Sequence, residues 1–323
     1  MPENFNKAIV VCDACMDVHL HISDILADVQ IPYRTSLGGT CGGSVAMLGR
    51  LGVPTAFLGT IGNDYAGRFI LEQLKKNGID TSLTIIRDEL NTIMVYAFID
   101  EEGERHLWGF PREDRAYTDL DLERIDLQKI KTASWLHTSG MSLLVEGSIR
   151  ESVPELFRIA YEAGVPTSLD LNTRVNDLKL LDPEAVSAIR KTLPYVRYLT
   201  GSAKDEFYSF CPCDDWKDSV RHFKEEGRTI IARMGKEGYM IISDGEEKIF
   251  PSYEVEVKNT TGAGDCFNAG LITGILEGKD IYEAAKFANA VSGYKISRDE
   301  EEPDYSKELI EHFMETTALR ENS

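Results

Sequence analysis

Short apolar runs alternate with amphipathic stretches along nearly the whole chain, and few folds accept that rhythm. Ala8 to Val11, Thr55 to Gly59, Ser134 to His137, Thr167 to Leu171, Val196 to Leu199, Thr229 to Arg233 and Tyr239 to Ile242 read as strands. Between them lie helical patterns such as Tyr65 to Gly78, in which Phe69, Ile70 and Leu74 share a face and Gly78 supplies the stop. Strand, helix, strand, repeated from end to end, predicts an α/β protein with a doubly wound sheet. The 323 residues, at roughly 150 per domain, suit two compact units or one large α/β body carrying an insertion.

Two segments break the rhythm. Val18 to Ser36 is extended and punctuated by proline, and Thr92 to Phe110 holds two strand-like runs around the turn Asp100-Glu-Glu-Gly103. Far apart in sequence but alike in pattern, they are expected to pair into a small sheet projecting from the body. The expected division is a body of residues 1–12, 38–91 and 113–323 and a discontinuous β domain of residues 13–37 and 92–112.

Composition narrows the function. With 54 Asp plus Glu against 35 Lys plus Arg, the formal charge of −19 repels nucleic acid and anionic lipid. No apolar stretch approaches the roughly 18 residues of a membrane span, and no basic-then-apolar leader pattern stands at the start, so a cytoplasmic location is expected. Six cysteines are too sparse for a disulfide scaffold. Cys12-x-x-Cys15 and Cys211-Pro-Cys213 lie almost 200 residues apart with no histidine inside either pair, which argues for small buried hydrophobes over a zinc site.

The segment Asn259-Thr-Thr-Gly-Ala-Gly-Asp265 runs into a helical pattern in which Phe267, Leu271 and Ile275 lie near one face. Gly262, Ala263 and Gly264 leave backbone N–H groups unobstructed at a helix N-terminus, where an anion such as phosphate can sit. Asp265 fits two readings there: a helix-capping carboxylate, or a base that takes the proton of a hydroxyl attacking a bound phosphate.

This segment resembles the C-terminal signature of the ribokinase-like sugar kinases, also called the phosphofructokinase-B family. Leu37-Gly-Gly-Thr-Cys-Gly-Gly-Ser-Val-Ala-Met-Leu-Gly-Arg-Leu-Gly52, followed by Phe57-Leu-Gly-Thr-Ile-Gly-Asn-Asp64 and Gly67, is similar to that family's N-terminal glycine-rich substrate loop. The resemblance runs from Ile9 to about Ser297. It implies a three-layer α/β/α ribokinase-like fold with a small β-sheet lid, and an ATP- and Mg²⁺-dependent carbohydrate kinase. It also implies roles. Gly262, Ala263 and Gly264 would form the anion hole, with Asp265 as the base on the acceptor hydroxyl. Asp17, Gly38, Gly39, Thr40, Gly42 and Gly43 would line the acceptor site, joined by Phe110, Arg112 and Arg174. The last belongs to Asp170-Leu-Asn-Thr-Arg174, similar to a segment whose arginine meets a substrate carboxylate. Arg233-Met-Gly-Lys-Glu-Gly238 resembles the nucleotide loop, so Arg233, Gly235 and Gly238, together with Ser202 and with Asn289 of Ala288-Asn-Ala290, would face ATP. On residues alone, Gly-x-x-Gly between strands also fits a plain hairpin, and Ala-Asn-Ala fits close helix packing.

Three positions depart from the family pattern. Gly43 stands where an asparagine usually binds the sugar. Ser202-Ala-Lys-Asp205 replaces Asn-x-x-Glu near the phosphates and Mg²⁺, leaving Asp205 as an indirect metal contact or a helix-capping partner. Asn259 stands where many relatives carry the aspartate of a monovalent-cation site, which weakens the case for K⁺ activation. No Gly-x-x-x-x-Gly-Lys-Ser/Thr is present, which excludes a P-loop enzyme, and no Gly-x-Gly-x-x-Gly follows the first strand, which disfavours a dinucleotide enzyme. The expected activity is transfer of phosphate to a hydroxyl of a small sugar or sugar acid. The alternatives are a nucleoside kinase of the same family and a catalytically silent sugar- or nucleoside-binding sensor. An exposed lid edge favours a homodimer.

Overall fold

A computed structural model describes residues 4–23, 33–100, 105–110, 114–173, 179, 181–298 and 304–321. The described strands are, in chain order, β1 (Ala8–Val11), β2 (Cys15–His21), β3 (Arg34–Gly38), β4 (Thr55–Leu58), β5 (Thr60–Gly62), β6 (Ile85–Arg87), β7 (Met94–Ile99), β8 (Arg105–Phe110), β9 (Trp135–Ser139), β10 (Thr167–Asp170), β11 (Tyr198–Ser202), β12 (Thr229–Arg233), β13 (Tyr239–Ser243) and β14 (Glu246–Phe250).

Eight of them form one sheet in the order β14-β13-β12-β11-β10-β9-β1-β4, parallel from β12 to β4 and antiparallel at β13 and β14. β1, β4, β9 and β10 are buried at every residue, as sheets covered on both faces require. The helices Ile149–Glu162 and Pro183–Thr192 cover one face around Phe157, Leu169 and Ile230. The helices Thr40–Arg50, Ala263–Leu276, Ile281–Ile296 and Lys307–Thr316 cover the other around Phe57, Trp135 and Phe287. The result is the expected three-layer α/β/α body.

The two off-rhythm segments meet in a four-stranded sheet of order β3-β2-β7-β8. β2 and β7 run parallel with Met16 opposite Met94, and hairpin partners β3 and β8 flank them. The turn residues 101–104 lie outside the described residues. β5 and β6 form a separate parallel pair. Among the described residues no helix is long and apolar enough to cross a membrane.

Candidate active site

Residues from five parallel strands converge at the carboxyl edge of the large sheet, where open α/β folds bind ligands. On one side the chain leaves β1 through Cys12, whose φ is 56°, and reaches Asp13. The Asp13 carboxylate accepts bonds from Thr40 N (2.9 Å), Thr40 Oγ1 (2.7 Å), Cys41 N (3.2 Å) and Ser142 Oγ (3.1 Å). Asp13 therefore holds the start of the Thr40–Arg50 helix, which has no side-chain cap of its own. Asp17 stands on β2 opposite Ser36 and accepts from Cys15 Sγ at 3.2 Å. A β-carbon on Gly38 would fall 2.2 Å from its carboxyl group, so glycine there lets the carboxylate lie over the loop backbone. Gly39 has φ 86° and packs on the Asp13 carbonyl, and Gly42 donates its N–H to that carbonyl at 3.0 Å.

Facing this loop is the turn before the Ala263–Leu276 helix. Gly262 adopts φ 74° and no side chain caps the helix. Left-handed backbone of this kind favours glycine, and the turn is closed by Ala263 N–H, which donates to Thr260 O at 3.2 Å. The helix is buried almost all round. Gly270 and Gly274 let the Ile281–Ile296 helix approach until a β-carbon on either would lie 2.7 or 2.8 Å from its backbone, and Ser292 Oγ donates to Ala263 O at 3.0 Å.

The two sides touch at Asp265. A β-carbon on Gly43 would lie 2.9 Å from Asp265 Oδ2. Ser44 Oγ reaches the Asp265 carbonyl at 3.5 Å. The sequence motifs separated by more than 200 residues thus share one carboxylate.

The residues expected from the sequence to face a nucleotide lie around the β12–β13 connection and the 202–205 turn. Gly235 and Gly238 have φ 58° and 98° in the tight connection from β12 to β13, and a β-carbon on Gly238 would fall 1.9 Å from the Phe250 carbonyl. Asn289 is buried and donates Nδ2 to Pro251 O at 3.2 Å, in the segment that Gly238 abuts. Lys204 pairs with Glu237 at 2.7 Å, joining the 203–207 turn to this connection. Ser202 Oγ donates to Asp205 Oδ2 at 2.7 Å. Asn259 Oδ1 accepts from Thr261 N at 2.9 Å. Arg112 and Arg174 lie outside the described residues, as does the side chain of Phe110, whose backbone ends β8 opposite Met94.

The structure joins to Arg233, read from the sequence as facing ATP, residues that the sequence did not single out. Arg233 turns its guanidinium onto Asp170 Oδ1 (2.7 Å), the Gly264 carbonyl (3.3 Å) and Asn268 Oδ1 (3.3 Å). Asn268 Nδ2 donates to Asp170 Oδ2 at 2.7 Å, and Thr200 Oγ1 donates to Asn268 Oδ1 at 2.8 Å. Glu206 is the buried carboxyl group of its turn. It accepts from Ser202 N at 2.7 Å, stands 3.9 Å from Arg233, and has its pKa pushed up to about 7 by burial and by the Asp170 charge. His137 is buried on β9 against Ser168 Oγ at 2.8 Å, and burial lowers its pKa to about 4.

Comparison with known proteins gives this geometry a family. The model of the pfkB family carbohydrate kinases matches residues 7–304. The chain belongs to that family. Its three-layer fold and paired glycine motifs are those of a carbohydrate kinase, an enzyme that phosphorylates a sugar or nucleoside. Similar family members include the aminoimidazole riboside kinase of Salmonella typhimurium, 27% identical over 288 residues, 89% of this chain and 86% of that protein. The 5-dehydro-2-deoxygluconokinase of Geobacillus thermodenitrificans is 26% identical over 296 residues, 90% of this chain and 87% of that one. Among solved structures, an apo candidate ribokinase II from E. coli superposes with a TM-score of 0.85 at 23% identity, covering 96% of this chain and 99% of its own. Its complex with ATP and Mg²⁺ superposes at 0.82.

Proposed function

We propose that this pfkB-family enzyme transfers the γ-phosphoryl group of ATP to a hydroxyl of a small sugar or sugar acid, with Asp265 as catalytic base. One observation carries the reading: the Asp265 carboxylate lies against Gly43, in the first turn of the Thr40–Arg50 helix that follows the glycine loop, while its backbone belongs to the first turn of a helix whose N-cap is the glycine Gly262. An acceptor hydroxyl on the loop and an anion on the helix end would then be neighbours.

The residues fit these groups. Gly262, Ala263 and Gly264 open the helix at the positive end of its dipole, where charge building on a transferring phosphoryl group would be stabilised, the Ala263 N–H being already given to Thr260 O at 3.2 Å. Gly235 stands in open space, where the backbone of the connection would approach a nucleotide, while Gly238 packs against Phe250. Among the described residues no three His, Cys, Asp or Glu side chains converge on a metal position. Mg²⁺ usually keeps several waters and bridges phosphate oxygens through one or two carboxylates. Asp205, joined to Ser202 at the surface of the turn, would meet it indirectly.

Asp265 orients the acceptor hydroxyl and receives its proton as the new O–P bond forms and the P–O bond to the departing ADP breaks. A carboxylate is a weak base, so positioning carries more of the effect than basicity in a loose transition state. Asp17 and the amides about Gly38 and Gly39 would hold further hydroxyls. The β3-β2-β7-β8 sheet would close over the acceptor and exclude water. Its edge strands β3 and β8 offer open ladders that a second copy would cover in a homodimer.

The test is ADP release, followed with ribose, fructose, 2-keto-3-deoxygluconate and adenosine as acceptors. The expected result is acceptor-dependent release that Asp265→Asn lowers by about 10²- to 10⁴-fold, as loss of a positioned base does. Binding of an acceptor without release would favour the sensor reading. Release with adenosine alone would favour a nucleoside kinase. Unchanged turnover in the variant would remove Asp265 from the mechanism.

A further inference from the structure

We propose that Arg233 is a positioning residue that aims the phosphoryl-binding turn from behind, an inference that rests on the kinase reading above. The guanidinium does three things at once. It holds the buried Asp170 carboxylate at 2.7 Å, meets Asn268 Oδ1 at 3.3 Å and meets the Gly264 carbonyl at 3.3 Å. Asp170 is 1% exposed, and its other oxygen is taken by Asn268 Nδ2 at 2.7 Å. Asn268 is held in turn by Thr200 Oγ1 at 2.8 Å. The guanidinium is therefore fixed by side chains from β10 and from the Ala263–Leu276 helix, on a residue that itself ends β12.

The consequence follows from peptide geometry. In a planar trans peptide the C=O and the N–H point in opposite directions. A cation that pins the Gly264 carbonyl toward the sheet aims the N–H of Asp265, in the same peptide unit, away from the sheet and toward the helix end. A cation on a carbonyl also polarises that peptide, which makes its N–H a stronger donor. The close fit explains the glycine. A β-carbon on Gly264 would stand 3.1 Å from Arg233 Nη1, tighter than ordinary contacts. Arg233 thus acts through the turn and leaves the nucleotide to the Gly235–Gly238 connection.

The test compares Arg233→Lys with the double variant Arg233→Met/Asp170→Asn, with Asp265→Asn in parallel. Lysine keeps a positive charge for Asp170 but lacks the fork that spans Asp170, Asn268 and Gly264 together. The double variant removes Arg233 and Asp170 together, so the Asp170 carboxylate is not left without its partner. For Arg233→Lys the expected result is kcat lower by about 10- to 100-fold, less than deletion of a direct oxyanion donor, with KM for ATP and acceptor within about threefold and thermal stability close to wild type. The double variant is expected to match that loss in kcat while still folding. Wild-type kcat in both variants would overturn the proposal. A rise in KM for ATP with kcat kept would overturn it too, by making Arg233 a nucleotide contact. Full recovery of kcat on cooling a destabilised variant would reduce the role to folding. Near-normal turnover in Asp265→Asn, whatever the Arg233 variants do, would instead refute the kinase mechanism itself.

Discussion

Replacing Glu206 by glutamine should reveal two buried titrations that oppose each other. Glu206 has its pKa raised from 4.5 to about 7, first by burial and then by the Asp170 charge, with Arg233 offsetting part of the rise. The folded protein therefore binds this proton more tightly than the unfolded chain does. The benefit is full below about pH 4.5 and is lost as pH rises to 7. At about 1.4 kcal/mol per pH unit, the swing is about 3 kcal/mol. His137 runs the other way: burial lowers its pKa from 6.5 to about 4, so stability falls as the pH drops from 6.5 to 4, again by about 3 kcal/mol. In the wild type the two slopes nearly cancel between pH 4.5 and 6.5. Urea denaturation of wild type and Glu206→Gln across pH 4.5 to 7.5 isolates the carboxyl, because every other group titrates in both proteins. The stability of the variant relative to wild type should increase by about 3 kcal/mol from the acid to the neutral end. A difference that stays level, or that moves the other way, would mean that Glu206 is held as a carboxylate by Arg233 and that the burial argument is wrong.

Three further outcomes are expected. Gly43→Asn puts a β-carbon 2.9 Å from Asp265 Oδ2 and should lower turnover at least about tenfold, the cost of misplacing a reacting group, while calorimetry shows ATP affinity unchanged; wild-type turnover would contradict the shared-carboxylate geometry. Asp13→Ala leaves Thr40 N, Thr40 Oγ1 and Cys41 N without their charged acceptor, for an expected loss of about 3 kcal/mol or more in denaturant titrations. Gly238→Ala adds a β-carbon 1.9 Å from the Phe250 carbonyl at φ 98°, so weaker ATP binding and a stability loss of about 2 kcal/mol are expected.

Much of the body was legible because both faces of its sheet are covered, so β1 is an unbroken apolar run and β12 is apolar through Ile230, Ile231 and Ala232. Thr229–Arg233 was read with its observed bounds. β14 was not read, since Glu246, Glu247 and Lys248 face solvent on an edge strand. Its clue lay in Asp244-Gly245, whose φ values of 50° and 82° make the tight hairpin turn that Asp-Gly favours. β5 and β6 are three residues each, too short for a period to show. Asp17 stood out by motif, whereas Asp13 holds a helix 27 residues away, a tertiary contact with no local trace. Counting along Ser202-Ala-Lys-Asp pointed to Asp205. Asp205 stays at the surface, and the chain makes a π-helical turn over Ala203–Phe207, which takes in one more residue than an α turn. Glu206 is brought inside with Ala203, Phe207 and Phe210. The spacing of those three apolar residues was the available signal.

The same glycine letter serves different ends around Asp265. Gly262 is there for its backbone, since φ 74° is strained for any residue with a β-carbon. Gly43 and Gly264 are there for space on opposite sides of the turn: one leaves room for the Asp265 carboxylate, the other for the Arg233 guanidinium. A sequence reading that assigns Gly262 to Gly264 to one anion hole merges two tasks that fail differently. Alanine at Gly262 strains the turn and should cost stability together with activity. Alanine at Gly264 meets a charged side chain with 17% exposure and some freedom to shift, so it should disturb the aim of the amides more than the fold. The turn is held from behind by Arg233 on β12, which reaches the Gly264 carbonyl, and by Asp170 on β10 and Thr200 on β11, which hold Asn268.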